Sequence, residues 1–224
     1  MVKHFTIAID GPAGSGKSTV AKMVARELGF LYMDTGAMYR TVAYFCRKHQ
    51  IDWTDEAKVV AALPKLQMNV QLLDGKQHIF LEGEDVTDLV RTPEIGKGAS
   101  SVGTFLPVRE CMVRLQQSLA ADVSVVMDGR DIGTKVLPDA PLKIYLDAGV
   151  EERARRRMGE LAERGETADF AEICQQIRQR DEQDMHRTHS PLVQAEDAVF
   201  LDSTSMTAEE VTQRIIALAK ERME

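Results

Sequence analysis

Residues 11–19 read Gly-Pro-Ala-Gly-Ser-Gly-Lys-Ser-Thr, which matches the pattern G-x-x-x-x-G-K-[ST]. Such a run constrains its flanks as well as itself. Its glycines reach backbone conformations closed to other residues, so successive N–H groups can turn inward toward one anion. That geometry needs a strand leading in and a helix leading out. Both are legible. Phe5–Ile9 is a short apolar, β-rich run, and Val20, Met23, Val24 and Leu28 recur at helical spacing between Lys17 and Leu28. Gly29 reads as the helix stop. The loop is thus a cradle for phosphate: backbone amides of Gly11, Pro12, Ala13, Gly14, Ser15 and Gly16 surround it, apart from the proline, which has none, and the helix dipole of the following segment favours anions. Lys17 reaches the outer phosphates, the Ser18 hydroxyl suits Mg²⁺, and Thr19 adds a second hydroxyl.

The rest of the chain extends this unit. Phe30–Met33 reads as a second strand and Thr35–His49 as a helix, so the chain opens β-loop-α-β-α, the order of a parallel sheet. From about Leu66 to Thr87 the rhythm changes. Val70, Leu72 and Leu73 precede Asp74-Gly75, a hairpin signal, and Ile79, Phe80 and Leu81 follow, with a short third strand around Val86. A small antiparallel insert is expected over 63–92. Glu110 to Ala121 is an amphipathic helix, while Val123–Met127 and Leu142–Leu146 are apolar runs typical of central parallel strands. Val199–Leu201 is expected as the last strand. Ala208–Lys220 closes the chain as a helix with Val211, Ile215 and Leu218 on one face. The 224 residues suit one domain, a three-layer α/β/α fold with a mostly parallel central sheet and the antiparallel insert attached.

Composition narrows the ligand. The formal net charge is −7, which disfavours non-specific binding of nucleic acid or membrane. Yet arginines crowd Arg153–Arg157 and Arg178–Arg187, which suits a small polyanion better than a long one. Cys46, Cys111 and Cys174 form neither a disulfide framework nor a zinc spacing, and the five histidines show no metal spacing. No run approaches the length needed to span a bilayer, and Phe5–Ile9 is too short for a signal-peptide core, so a cytoplasmic location is expected. A guanine-reading Asn-Lys-x-Asp run and a transporter Ser-Gly-Gly signature are both missing. A small chain with the loop this close to its N-terminus favours a small-molecule kinase. No long exposed apolar stripe is evident, so a monomer is expected.

Three further motifs sharpen this. Asp34-Thr35-Gly36-Ala37-Met38-Tyr39-Arg40 follows the second strand, and Asp128-Gly129-Arg130-Asp131-Ile132-Gly133-Thr134 follows a central one. Arg180-Asp181-x-x-Asp184-x-x-Arg187 sits on an expected helix. With the glycine-rich loop, they resemble the bacterial cytidylate kinases of the P-loop nucleoside monophosphate kinase family, over nearly the whole chain. Thr35 stands where some relatives carry Ser, which preserves the hydroxyl. The resemblance implies a P-loop NTPase core, a mobile insert that binds the monophosphate, and a helical lid at 151–170. It implies transfer of the γ-phosphoryl of Mg-ATP to CMP or dCMP, giving ADP and CDP or dCDP.

The site follows from the same resemblance. Two phosphate groups repel, so an arginine-dense site is expected, with positioning and charge stabilisation doing nearly all the catalysis. The acceptor phosphate is mostly dianionic at neutral pH, with a second pKa near ~6, so no general base is needed. Arg40 and Arg130, just after strand ends, are implied to grip it, and Thr35 also to bind substrate. Asp128 ends a Val-Val-Met strand, a usual place for a carboxylate that organises Mg²⁺ together with Ser18. Arg180, Asp184 and Arg187 are spaced to share one helix face; Arg180 and Asp184 are implied to hold the ribose, with Arg187 near the base or phosphate. Ser100, Arg109 and Asp131 are implied to read cytosine, an aspartate accepting from its amine and an arginine donating to O2 and N3. From the lid helix, Arg153 and Arg157 are expected on ATP, with Arg156 beside them; closure would exclude water. Lys17, Asp128, Arg130, Arg157 and Arg180 form the expected catalytic set. The rivals are a broader UMP/CMP kinase, another small P-loop kinase such as one for shikimate, a nucleotide-binding regulatory module without turnover, and a nucleic-acid-dependent ATPase, the last disfavoured by acidity.

Overall fold

The computed structural model describes residues 4–73, 76–163 and 165–224. In chain order the elements are β1 (Thr6–Asp10), α1 (Lys17–Leu28), β2 (Leu31–Asp34), α2 (Thr35–Lys48), α3 (Glu56–Ala62), β3 (Met68–Leu73), β4 (Lys76–Leu81), β5 (Glu84–Asp85), α4 (Pro93–Val102) and α5 (Leu106–Ala120). They continue with β6 (Val125–Gly129), β7 (Leu142–Asp147), α6 (Val150–Glu163), α7 (Phe170–His186), β8 (Val199–Asp202) and α8 (Ala208–Met223). The chain forms two compact units, one of residues up to Phe30 together with Ser124–Glu224, the other of Leu31–Val123.

In the first unit, β6, β1, β7 and β8 lie side by side, all parallel. Parallel strands are covered on both faces, which is why these segments read as unbroken apolar runs. Ile7, Ile9, Met127, Leu142, Ile144 and Leu146 are fully buried, and each such side chain contributes roughly 1.5–3 kcal/mol. The register pairs Ile9 with Asp128 and Asp10 with Gly129, so β1 and β6 end level with each other. Ligands of open parallel sheets bind at such carboxyl ends. Helix α8 packs against α1 and begins with a capping box in which Thr207 and Glu210 satisfy each other's amides.

The second unit carries β3, β4 and β5 as an antiparallel sheet, within the expected 63–92 segment. Its register sets Val70 opposite Ile79 and Met68 opposite Leu81. Val70, Ile79 and Leu81 turn into a core with Met38, Val42, Phe45, Val59, Ile95 and Met112. The expected Asp74-Gly75 turn lies outside the described residues. Two helices here lack a strong signal in the sequence. Helix α3 spans only seven residues, started by the Asp55 side chain, which accepts from Lys58 N. Helix α4 carries Gly96 and Gly98 in place of helix formers. A Cβ on Gly98 would come within 2.9 Å of Ala43 Cβ and 3.0 Å of the Trp53 ring, so the glycine sets how closely α4 and α2 approach.

Several boundaries differ from expectation. Helix α5 begins at Leu106, with a proline in its first turn, four residues ahead of the expected start. Strand β6 begins at Val125, and just before it Ser124 Oγ accepts from Phe5 N at 3.1 Å. Helix α7 ends at His186, and Arg187 is its extended C-cap, φ −64° and ψ 143°. Arg187 keeps a helical φ at the helix end and faces Asp184 three residues back, so the shared face extends to it.

Candidate active site

The glycine-rich loop joins β1 to α1 as the sequence requires. A Cβ on Gly11 would overlap the Leu146 carbonyl oxygen on the neighbouring β7, so only glycine lets the loop leave the sheet here. Gly16 caps α1 in the left-handed region, φ 89°. Lys17 is buried and folds back over the loop, its Nζ donating to Pro12 O at 2.6 Å and Ser15 Oγ at 3.2 Å. Burial and the positive field of Arg130 push its ammonium well below its ordinary pKa, while Asp128 and Asp10 oppose that shift.

Beside this loop stands the end of β6. Asp128, buried at the strand end, accepts from Ser18 Oγ at 2.8 Å. A hydroxyl and a carboxylate are the hard oxygen donors that Mg²⁺ takes when phosphates and water complete its shell, so this pair fits that ion. Arg130 follows, its Nε donating to Asp184 Oδ2 of α7 at 2.9 Å. Burial alone would raise the Asp184 pKa, but the charges of Arg130, Arg180 and Arg187 hold it below the ordinary carboxylate value. Arg187 Nη1 lies 3.8 Å from Asp184 Oδ1, and its Nε donates to Ser190 O at 2.6 Å. Arg180 is half-buried on α7, and its charge acts on both Asp184 and Lys17. Thus Lys17, Ser18, Asp128, Arg130, Arg180, Asp184 and Arg187 share one neighbourhood at the carboxyl ends of β1 and β6.

The lid-helix arginines divide differently from expectation. Arg153 is 4% exposed and forks onto Asp181 of α7 at 2.6 and 3.0 Å. It also donates to Ala148 O and to Ala13 O of the loop. Arg156 donates to Ser15 O of the loop and to Ser203 O. Arg157, by contrast, is half-exposed and pairs with Glu160. Two guanidinium groups therefore hold carbonyls of the loop.

In the second unit, Asp34 caps α2 by accepting from Ala37 N at 2.9 Å, which buries Thr35 in the first turn. Arg40 lies half-buried one turn on. Arg109 on α5 is buried, donates to Gly103 O at 2.9 Å, and lies 5.4 Å from the Tyr39 ring centroid. Ser100 on α4 donates to Gly96 O, and its own carbonyl is close to Gly103. Tyr39, Ser100, Gly103 and Arg109 are thus grouped.

This unit and the loop neighbourhood carry the motifs expected of one enzyme family, and whole-chain comparison decides it. The family model described as cytidylate kinase matches residues 7–221. The chain belongs to the cytidylate kinase family. It is 48% identical over 217 residues to the cytidylate kinase of Caldicellulosiruptor bescii, covering 97% of this chain and 96% of that protein. It is 47% identical to that of Bacillus cytotoxicus over 224 residues, the full length of both. Among solved structures it is similar to an uncharacterized protein from Eubacterium ventriosum, at a TM-score of 0.54 and 13% identity, covering 98% of this chain and 99% of that one. That likeness concerns the fold alone.

Four residues at or beside this cytidylate kinase site carry no role in the sequence reading. Asp181 was read as motif context, yet it is the partner that fixes Arg153. Arg156 was placed beside Arg153 and Arg157 without a role of its own, and Ser203 lies in a segment with no motif. Asp10 is a buried carboxylate at the end of an apolar strand, and that placement was the available signal.

Proposed function

We propose that the chain transfers the γ-phosphoryl group of ATP to CMP or dCMP. The observation that carries this reading is the neighbourhood of Lys17, Arg130, Arg180 and Asp184 beside the glycine-rich loop, in a chain of the cytidylate kinase family. One cation on the loop and two guanidinium groups on other elements are what two mutually repelling phosphates require.

On this reading the residues from Gly11 to Thr19 cradle the donor phosphates, and Lys17 swings from Pro12 O onto the outer ones. Ser18 and Asp128 would hold Mg²⁺, which supplies charge neutralisation between the phosphates when bound. Arg130 releases part of its hold on Asp184 to grip the acceptor phosphate, and Arg180 and Asp184 receive the ribose, with Arg187 adjacent. Asp131 accepts from the cytosine amine. Thr35, Arg40, Ser100 and Arg109 take acceptor-binding roles on the strength of the family motifs. Arg153 and Arg156 support the cradle, and of these three arginines Arg157 has the least to give up in order to reach ATP.

A panel of CMP, dCMP, UMP, AMP, GMP and shikimate with Mg-ATP, followed by ADP release, tests the reading. CMP and dCMP should support turnover at least tenfold more efficiently than the others. Equal turnover of UMP would replace it with a broad pyrimidine kinase, and no acceptor-dependent ADP release would replace it with a binding module. Uracil turns an acceptor toward Asp131, so Asp131→Ala should lower the CMP/UMP ratio of kcat/KM. An unchanged ratio removes Asp131 from base reading.

A further inference from the structure

Immediately after Asp131 the chain makes one π-helical turn, Ile132–Val136. Val136 N donates to Asp131 O at 3.2 Å and Leu137 N to Ile132 O at 2.7 Å, both five residues apart. The first amides of any helical turn have no partner within it and need an acceptor from elsewhere. Asp131 stands in the N-cap position, but its side chain makes no capping bond. The acceptor is Asp10. Its Oδ1 accepts from Ile132 N at 2.8 Å and its Oδ2 from Gly133 N at 2.7 Å. Both bonds are short, as expected for a charge-assisted pair. The contact depends on close packing, since a Cβ on Gly133 would come within 3.4 Å of Asp10 Oδ2 and 3.2 Å of Lys143 Cδ.

Asp10 is itself fixed. It is 5% exposed, and its backbone is paired with Gly129 on one side and Tyr145 on the other. It directly precedes Gly11 of the phosphate loop, while the amides it holds directly follow Arg130 and Asp131. One carboxylate therefore ties the root of the donor cradle to the turn that carries two residues assigned to the acceptor.

We propose that Asp10 is a positioning residue for acceptor binding: by clamping the amides of Ile132 and Gly133, it fixes where Arg130 and Asp131 stand relative to the phosphate loop. The proposal rests on the reading that Arg130 and Asp131 bind the acceptor. It predicts a divided effect. Loosening the clamp lets the 130–133 turn wander, which weakens acceptor binding, while the glycine loop keeps its donor because Lys17, Arg153 and Arg156 still hold its carbonyls.

The test uses the full-length enzyme and two variants, Asp10→Asn and Arg130→Ala, with dissociation constants for CMP and for ADP measured by titration calorimetry. Amide hydrogen exchange at Ile132 and Gly133 is followed in parallel. Asp10→Asn should speed exchange of those two amides at least tenfold, weaken CMP at least tenfold, and change ADP less than threefold. Equal weakening of CMP and ADP would overturn the proposal, because Asp10 would then merely support the loop. Faster exchange with unchanged CMP affinity, while Arg130→Ala loses CMP, would overturn it and leave the acceptor reading intact. Unchanged CMP affinity in Arg130→Ala would sink that reading and the proposal with it. Should Asp10→Asn not fold, the unsubstituted enzyme still decides: Ile132 and Gly133 amides should exchange as slowly as those of strand β6, and exchange at the rate of exposed loops would overturn the clamp.

Discussion

Lys17 and Asp10 are both buried charges, and burial acts on them in opposite senses. For Lys17, burial and Arg130 favour the neutral amine, so an arriving polyphosphate restores the charge it needs. Lys17→Ala should therefore lower kcat by about 10²–10³, the range for removing one pre-aligned charge donor, with little loss in thermal stability. A kcat within threefold of the parent would contradict that role. For Asp10, desolvation pushes the pKa up to about 6, with Asp131 adding to the shift and the two amide bonds and Lys17 opposing it. The folded state then binds this proton more tightly than the unfolded chain does. The stability this group contributes is full below the unfolded value of 3.8 and is lost as pH rises through about 6. Between pH 5 and pH 7 the loss is about 1 kcal/mol. Thermal melts of the parent and Asp10→Asn should therefore diverge with pH, the parent losing ground as pH rises. Parallel pH profiles would show that Asp10 is ionised in the fold at an ordinary pKa. The glycine loop was readable because its chemistry is written in consecutive residues. The Asp10 clamp was not, because its carboxylate ends β1 and its amides belong to the turn after β6, and only the pairing of those two strands brings them together.

At the scale of elements, α6 and α7 are joined through Arg153 and Asp181. The fork is nearly dry, and removing one partner of a buried pair strands the other, which typically costs about 3–5 kcal/mol. Arg153→Ala should thus destabilise more than Arg157→Ala, whose partner Glu160 is exposed. A double-mutant cycle with Asp181→Ala should show a coupling above about 1 kcal/mol by denaturant unfolding; simple additivity would mean that the fork is incidental. Helix α4 offers a second case. Gly98→Val would force α4 off α2 and should cost about 1–3 kcal/mol, measured the same way. Periodicity revealed α1 and α8, because each buries one regular apolar stripe. It missed α3 and α4, where brevity and glycines hide the pattern and tertiary packing supplies the stability. Spacing held across the arginine motif: Arg180 and Asp184 lie on one helical turn, and Arg187, at the helix C-cap, still faces Asp184.

For the molecule as a whole, apolar runs implied central parallel strands, as β6 and β7 are, and the Asp74-Gly75 hairpin signal between two apolar runs implied the antiparallel β3–β5 sheet; the order of the strands was not legible. The partition into two compact units was not legible, because both have the composition of ordinary core and no linker marks the change at Phe30 or Val123. Family membership came from motifs scattered over the whole length, and whole-length likeness to cytidylate kinases agrees with that breadth. None of the described helices is long and apolar enough to cross a membrane. The central claim concerns where one phosphoryl group goes. ATP labelled in its γ-phosphate, incubated with Mg²⁺, CMP and the enzyme, should pass the label to the β-phosphate of CDP. Label recovered as inorganic phosphate, or left on ATP while CMP is bound, would contradict the account.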